Sequence, residues 1–177
     1  MPRERRERPK LCADVMLGRL AKWLRIVGFD VLYSNDADDD ELVETCKSQG
    51  RILLTRDTAV AKRAGPDVKT IFVEGDHIKE QFASIRNKLP ITLEPPLIFS
   101  RCLVCNTPLR RASREEVEPL VPAFVFNTNK EFKICPNCHK VYWKGTHVRH
   151  ALRTVLVSFA GFNGEDMPAD APARDSR

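Results

Sequence analysis

The sequence predicts an α/β protein in which a parallel sheet flanked by helices is followed by a small four-cysteine metal ribbon. Three observations predict it. Short apolar runs alternate with amphipathic helical stretches over residues 11–89. Acidic residues stand just after those runs. Two C-x-x-C pairs, 29 residues apart, follow in the second half.

Residues 1–10 (MPRERRERPK) are charged and aperiodic, and read as a flexible basic arm. Residues 11–14 (LCAD) read as a buried strand ending in an acid. Next, Leu17, Leu20, Ala21, Leu24 and Val27 recur at helical spacing and define one apolar stripe. Arg19, Lys22 and Arg25 read as the opposite, wet face, and Trp23 as a packing residue. Gly28 suits a helix C-terminus, where positive φ is cheap for glycine. Val31–Tyr33 is a second strand. Residues 34–40 (SNDADDD) form a loop and helix start whose acids suit the positive end of a helix dipole. Residues 41–49 continue the helix, with Leu42, Val43 and Cys46 on its apolar face, and Gly50 ends it. Ile52–Thr55 is a third strand, residues 59–64 a short helix, and residues 70–73 a fourth strand. Ile78, Phe82, Ile85 and Leu89 mark another helix, which stops at Pro90. This alternation implies a parallel sheet with right-handed crossovers and helices on both faces.

Residues 91–97 read as a linker. Residues 123–126 and Val141–Trp143 read as β-like stretches of the cysteine module. Residues 147–159 read as a last helix, and 161–177, rich in Gly, Pro, Ala and Asp, as a disordered tail. The expected division is an α/β domain over 11–96 and a ribbon with its terminal helix over 97–160.

Cys102, Cys105, Cys135 and Cys138 can wrap four thiolates onto one ion, the tetrahedral arrangement of structural zinc. A closed shell leaves no position for substrate. A module with so few core residues draws much of its folding free energy from the metal. Two redox or disulfide pairs are the other reading. No export signal is read at the N-terminus, which favours metal. His139 directly follows a ligand. His147 and His150 read as surface or RNA-facing residues, and Cys12 and Cys46 as small core residues.

The acids carry the chemistry. Asp14 follows the first strand. Asp36, Asp38, Asp39 and Asp40 follow the second, Asp57 the third and Asp76 the fourth. Ligand sites in open parallel sheets lie beyond the carboxyl ends of the strands, so these acids converge on one edge. Residues 30–44 hold seven acids and no Lys or Arg. Clustered carboxylates call for a hard cation such as Mg2+ or Mn2+. Such an ion activates water and stabilises charge on phosphate. The pattern suits metal-dependent phosphodiester hydrolysis. Residues 36–39 also read as a solvated loop, Asp38 and Asp40 as helix-capping acids and Asp76 as a turn residue. Arg19, Lys22 and Arg25 read equally as phosphate contacts.

The net charge of +5 weakly favours an anionic partner. No stretch reaches the length of about 18 apolar residues that a membrane span needs. A cytoplasmic protein without membrane contact is expected. No phosphate-binding Walker loop supports an NTPase.

The motifs DVMLGRLAKWLRIVGFDVLYSNDADDDEL, GRILLTRD, FSRCLVCNTPL and CPNCHKVYWKGTH occur in this order. Over residues 11 to about 150 the chain resembles the Mut-7 C-terminal RNase domain family. The resemblance implies a PIN-like nuclease fold carrying a zinc ribbon, with RNA as substrate. On it, Asp14 matches the first acid, Asp39 or Asp40 a middle acid, and Asp57 in T-R-D the late acid. The four cysteines match the zinc ligands. The resulting expectation is a metal-dependent ribonuclease acting on single-stranded or loop RNA. Asp14, Asp40 and Asp57, aided by Asp36 or Asp39, hold Mg2+ or Mn2+. Arg19, Lys22, Arg56 and Lys144 hold RNA. The ribbon assists through Arg101, Arg110, Arg111, Arg114, Lys140, Arg149 and Arg153. Tyr142 or Trp143 stacks on a base or packs on the metal turn. By analogy with PIN-like domains, the chain forms a homodimer. The rival readings are a non-catalytic RNA-binding module of ribosome or RNA-complex assembly, and a phosphohydrolase directed at DNA or nucleotides.

Overall fold

A computed structural model describes residues 8–86, 88–89 and 97–143. The expectations for Pro90, the linker before Leu97, Lys144, His147, His150, Arg149, Arg153, the last helix and the tail lie outside the described residues.

Four strands, β1 (Leu11–Ala13), β2 (Val31–Tyr33), β3 (Ile52–Thr55) and β4 (Thr70–Phe72), form one parallel sheet in the order β2-β1-β3-β4. They alternate with α1 (Gly18–Ile26), α2 (Asp39–Gln49), α3 (Thr58–Ala64) and α4 (Ile78–Arg86). Strand faces sort the core into two layers. Leu11, Ala13, Leu54 and Ile71 pack with Leu17, Leu20, Leu24, Phe82 and Ile85 on the α1 and α4 side. Cys12 and Leu53 pack with Leu42, Val43, Cys46 and Val60 on the α2 and α3 side. Burial on both faces explains why β1 and the first three residues of β3 are apolar. Cys12 and Cys46 are core residues, as read.

Glycine ends α1 and α2 as expected. Gly50 takes the left-handed conformation at φ 60°. Gly28, at φ 90°, also faces a close backbone approach. A Cβ there would lie 2.8 Å from Leu97 Cβ and overlap the Leu97 carbonyl.

The second half adds an antiparallel sheet, β5 (Arg110–Ala112), β6 (Phe132–Ile134) and β7 (Val141–Trp143), in that order. It also holds the short helices α5 (Arg114–Val117) and α6 (Ala123–Thr128). The helix α6 overturns the β-like reading of residues 123–126. A short apolar run gives the same signal for strand and helix. Here Thr128 and Asn129 side chains bond the Phe124 and Val125 carbonyls, and Arg114 lies 4.0 Å over the Phe126 ring.

The wet-face reading of Arg25 is also corrected: it is 2% exposed. At about 100° per residue, Arg25 lies roughly 120° around the helix from Arg19. That puts it beside the apolar stripe, whereas Arg19 and Lys22 are exposed. No helix among the described residues is long and apolar enough to cross a membrane.

Candidate functional site

All four parallel strands point their carboxyl ends to one edge. Chain direction across the sheet switches between β1 and β3, the place where an open α/β sheet leaves a crevice. Asp14 follows β1 there, 2% exposed, with its N–H bonded to the Leu54 carbonyl of β3 at 3.0 Å. Thr55, wholly buried at the end of β3, donates its hydroxyl to Asp14 Oδ2 at 2.7 Å. The same hydroxyl accepts the Asp57 N–H at 2.9 Å. One side chain thus ties Asp14 to the turn carrying Asp57. The Asp57 Oδ1 caps α3 through Ala59 and Val60 N–H groups at 2.6 and 3.4 Å.

The turn after Asp14 is held from β2. The Tyr33 hydroxyl donates to the Val15 carbonyl at 3.2 Å and sits where a side chain at position 18 would be, so Gly18 lets it approach. This leaves Val15 and Met16 exposed beside the buried acid, at 41% and 61%.

The acids after β2 divide. Asp38 caps α2 through the Glu41 N–H at 2.8 Å. Asp39 and Asp40 lie 3.6 and 3.1 Å from Arg63 Nη1 of α3. Asp36 is exposed. After β4, the exposed Asp76 pairs with Arg56 at 2.7 Å. No basic side chain among the described residues forms an ion pair with Asp14. A buried carboxylate without a cation is costly when ionised. Asp14 and Asp57 offer only oxygen donors, which suits a hard cation that keeps several waters and takes one or two carboxylates. The donor chemistry therefore fits Mg2+ or Mn2+.

At the other end of the molecule the four cysteines converge. Cys102, Cys105, Cys135 and Cys138 place their Sγ atoms within 4.8 Å of one another, and among the described residues they are the group of three or more candidate ligands brought so close. Two cross-pairs stand 3.5 and 3.4 Å apart. These are free cysteines. The spacing is far beyond a sulfur–sulfur bond and near the roughly 3.8 Å expected around tetrahedral zinc. The two turns repeat one geometry. Cys102 N–H bonds the Thr107 carbonyl and Asn106 N–H the Cys102 carbonyl. Cys135 and His139 make the equivalent bonds to Lys140 and Cys135. Asn106 and His139 both take positive φ, a conformation Asn and His tolerate better than most. His139 is thus the turn residue after a ligand. Tyr142 packs against the first turn, its hydroxyl 3.1 Å from Cys102 Sγ.

Charge at this centre asks for a dication. Burial pushes the Cys105 thiol up, but hydrogen bonds with Thr107, Asn137 and Cys135 outweigh it and bring it down to about 5. Burial, then neighbouring thiols, push Cys138 up to about 12. One thiolate forms readily, and Cys135 and Cys138 then resist ionisation. A bound divalent ion removes that conflict.

The model of one family, described as the Mut7-C RNAse domain, matches residues 9–155. The chain belongs to the Mut7-C RNAse domain family. Membership gives it a nuclease-related role directed at RNA. No curated protein and no solved structure matches the chain.

In this Mut7-C RNAse domain, the fold links the Asp14 carboxylate to the Asp57 backbone through Thr55. It keeps Asp39 and Asp40 at Arg63, and leaves Asp36 in an exposed loop. Arg19 and Lys22 are exposed on α1, and Arg56 is half-buried. Several ribbon arginines have acceptors within the protein. Arg101 bonds the Asn106 carbonyl, Arg110 pairs with Glu116, and Arg114 bonds the Phe126 and Asn129 carbonyls. Thr55, Tyr33, Asp30 and Asn106 were missed from the sequence as site residues, and Arg25 was read there for a wet face or a phosphate contact. The T-R-D triplet was the available signal for Thr55, and the helical angle of Arg25 beside the apolar stripe was the signal for its burial. Tyr33, Asp30 and Asn106 carry no local pattern.

Proposed function

We propose that this chain is a metal-dependent ribonuclease that hydrolyses single-stranded RNA at the carboxyl edge of its parallel sheet. One observation carries the reading. Asp14 is a buried carboxylate without a basic partner among the described residues, joined by the Thr55 hydroxyl to the Asp57 turn at the topological switch point. Asp14 and Asp57, with Asp36, Asp39 or Asp40 completing the set, hold one or two Mg2+ or Mn2+ ions. When bound, such an ion lowers the pKa of water and stabilises charge on the phosphate. In the reaction a water oxygen bonds to phosphorus and the P–O3′ bond breaks. The 3′-oxygen takes up a proton, leaving a 5′-phosphate and a 3′-hydroxyl.

The outer face of α1 supplies the track for RNA. Val15, Arg19 and Lys22 are spaced four and three residues apart, so they share a face on a helical path. An apolar step beside the acid suits a splayed base, and two cations one turn apart suit the following phosphates. Arg56 adds a further cation at the edge. The cysteine centre is a structural zinc site, and the ribbon assists RNA binding.

The test incubates pure, zinc-loaded protein with labelled single-stranded and duplex RNA in metal-free buffer, Mg2+ or Mn2+. Asp14→Asn and Asp57→Asn run in parallel. Metal-free buffer replaces a chelator because a chelator would also strip the cysteine site. Cleavage that needs the added metal and both aspartates supports the reading. Cleavage by Asp14→Asn at the wild-type rate sinks it.

A second reading is a non-catalytic RNA-binding module. The ion pairs from Arg63 to Asp39 and Asp40 favour it, because they already compensate two of the acids. RNA affinity without cleavage in any metal would select it.

A further inference from the structure

An edge strand exposes backbone groups that need partners. In this sheet β2 is such a strand. Leu11 of β1 takes the Asp30 carbonyl, so Val31 turns its own N–H and C=O away from β1. Both groups are met from outside the sheet. The Val31 N–H donates to Asn106 Oδ1 at 3.0 Å. The Val31 carbonyl accepts from Arg25 Nε and Nη2 at 3.0 and 2.9 Å.

The same two side chains belong to, or grip, the first cysteine turn. Asn106 directly follows Cys105, and its Nδ2 donates to Asp30 at 2.8 Å. Arg25 Nη1 donates to the carbonyls of Leu103 and Val104 at 2.8 and 3.0 Å. These are the two residues between Cys102 and Cys105. Asp30 further pairs with Arg51 at 2.7 Å and Arg101 at 3.4 Å. Arg25 and Asn106 are both buried, at 2% and 6% exposure. The acceptors of Arg25 are backbone carbonyls, two of which exist in that position only while the turn is closed. Among the described residues, the apolar packing around the four sulfurs is thin: Tyr142 and the flanking Leu103 and Leu109. Closure of the turn therefore depends on the ion.

We infer that the metal-bound first cysteine turn is the edge cap of the parallel sheet. Zinc occupancy and the pairing of Val31 form one cooperative unit, joined by Asn106 and Arg25 as positioning residues. Opening the turn strands a buried guanidinium and a strand edge together. Linkage makes the effect reciprocal, so loosening Val31 weakens zinc by the same factor. The turn sits at the amino end of β2, the end opposite the acids, so zinc acts on the sheet from below the site. The inference does not rest on the ribonuclease reading, and neither readout of its test involves RNA.

Hydrogen exchange of the Val31 amide in the full chain tests it, with zinc release followed by a chromogenic dye. Stripping zinc is expected to speed Val31 exchange about tenfold or more. Asn106→Gly keeps the left-handed turn, because glycine adopts positive φ freely, and deletes only the side-chain amide. With zinc still bound, this variant is expected to exchange Val31 about tenfold faster and to hold zinc about tenfold more weakly. Unchanged Val31 exchange after zinc loss overturns the inference. So does an Asn106→Gly protein with wild-type zinc affinity and Val31 exchange. The variant arm decides the matter even if stripping zinc unfolds the whole chain, because there the metal stays in place.

Discussion

Replacing Thr55 with valine deletes one hydroxyl and keeps the shape of the side chain. That hydroxyl is wholly buried and makes two bonds, to the Asp14 carboxylate at 2.7 Å and from the Asp57 N–H at 2.9 Å. The bond to the charged partner is worth about 1.5–3 kcal/mol and the neutral one about 1 kcal/mol. The methyl group that replaces the hydroxyl returns about 0.8 kcal/mol of apolar burial. The net loss is about 2–3 kcal/mol. With a urea slope of about 2 kcal/mol/M, the unfolding midpoint should fall by about 1 M or slightly more. Thr55→Ser keeps both bonds and loses only a methyl group, at about 1 kcal/mol. The reading is urea unfolding followed by fluorescence of Trp23, which packs against the main core. Cleavage by the valine variant should fall about 100-fold in conditions where it stays folded, since Asp14 and Asp57 lose their common tether. A valine variant with the wild-type midpoint refutes the bridging role. A serine variant that falls as far as valine refutes it too.

Three further outcomes are expected. Asp38→Ala should lower stability by about 1 kcal/mol through loss of the α2 cap, yet leave cleavage unchanged, as thermal melts and rate assays would show. Burial alone would raise the Asp30 carboxyl, but bonds from Arg51 and Asn106 and the charge of Arg101 hold it below its ordinary value. A depressed folded-state pKa contributes stability that is present above the unfolded value of about 3.9 and lost as pH falls through the folded one. Urea midpoints should therefore drop steeply below about pH 4 in the wild type and less in Asp30→Asn. Gly28→Ala should cost more than about 1 kcal/mol, because it forces a side chain into positive φ against the Leu97 backbone, and a melting curve measures it.

The parallel sheet and its four helices were legible because their signals are local. The stripe through Leu20, Ala21 and Leu24 and the apolar runs at β1 and β3 each sit within one element. The cysteine cluster was legible because its spacing is itself the chelating geometry. Residues 123–126 misled because four apolar residues fit either period. The strands β5 and β6 escaped because RRA and FKI have no pattern of their own. β6 pairs with β7 across the second cysteine turn, and with β5 from beyond the first.

The sequence by itself determined the α/β class, the edge that collects the acids and the identity of the four sulfur ligands. Periodicity, strand order rules and ligand spacing need no knowledge of distant contacts. Only the tertiary structure decided which acids stand together, and what Arg25 and Asn106 do. Thr55 lies 41 positions from Asp14, and Asn106 lies 75 from Val31. Side chains so far apart meet only after the sheet has closed and the cysteine turn has docked on its edge. A hydrogen bond between them has no period along the chain, and its partners become defined when burial removes water as the alternative.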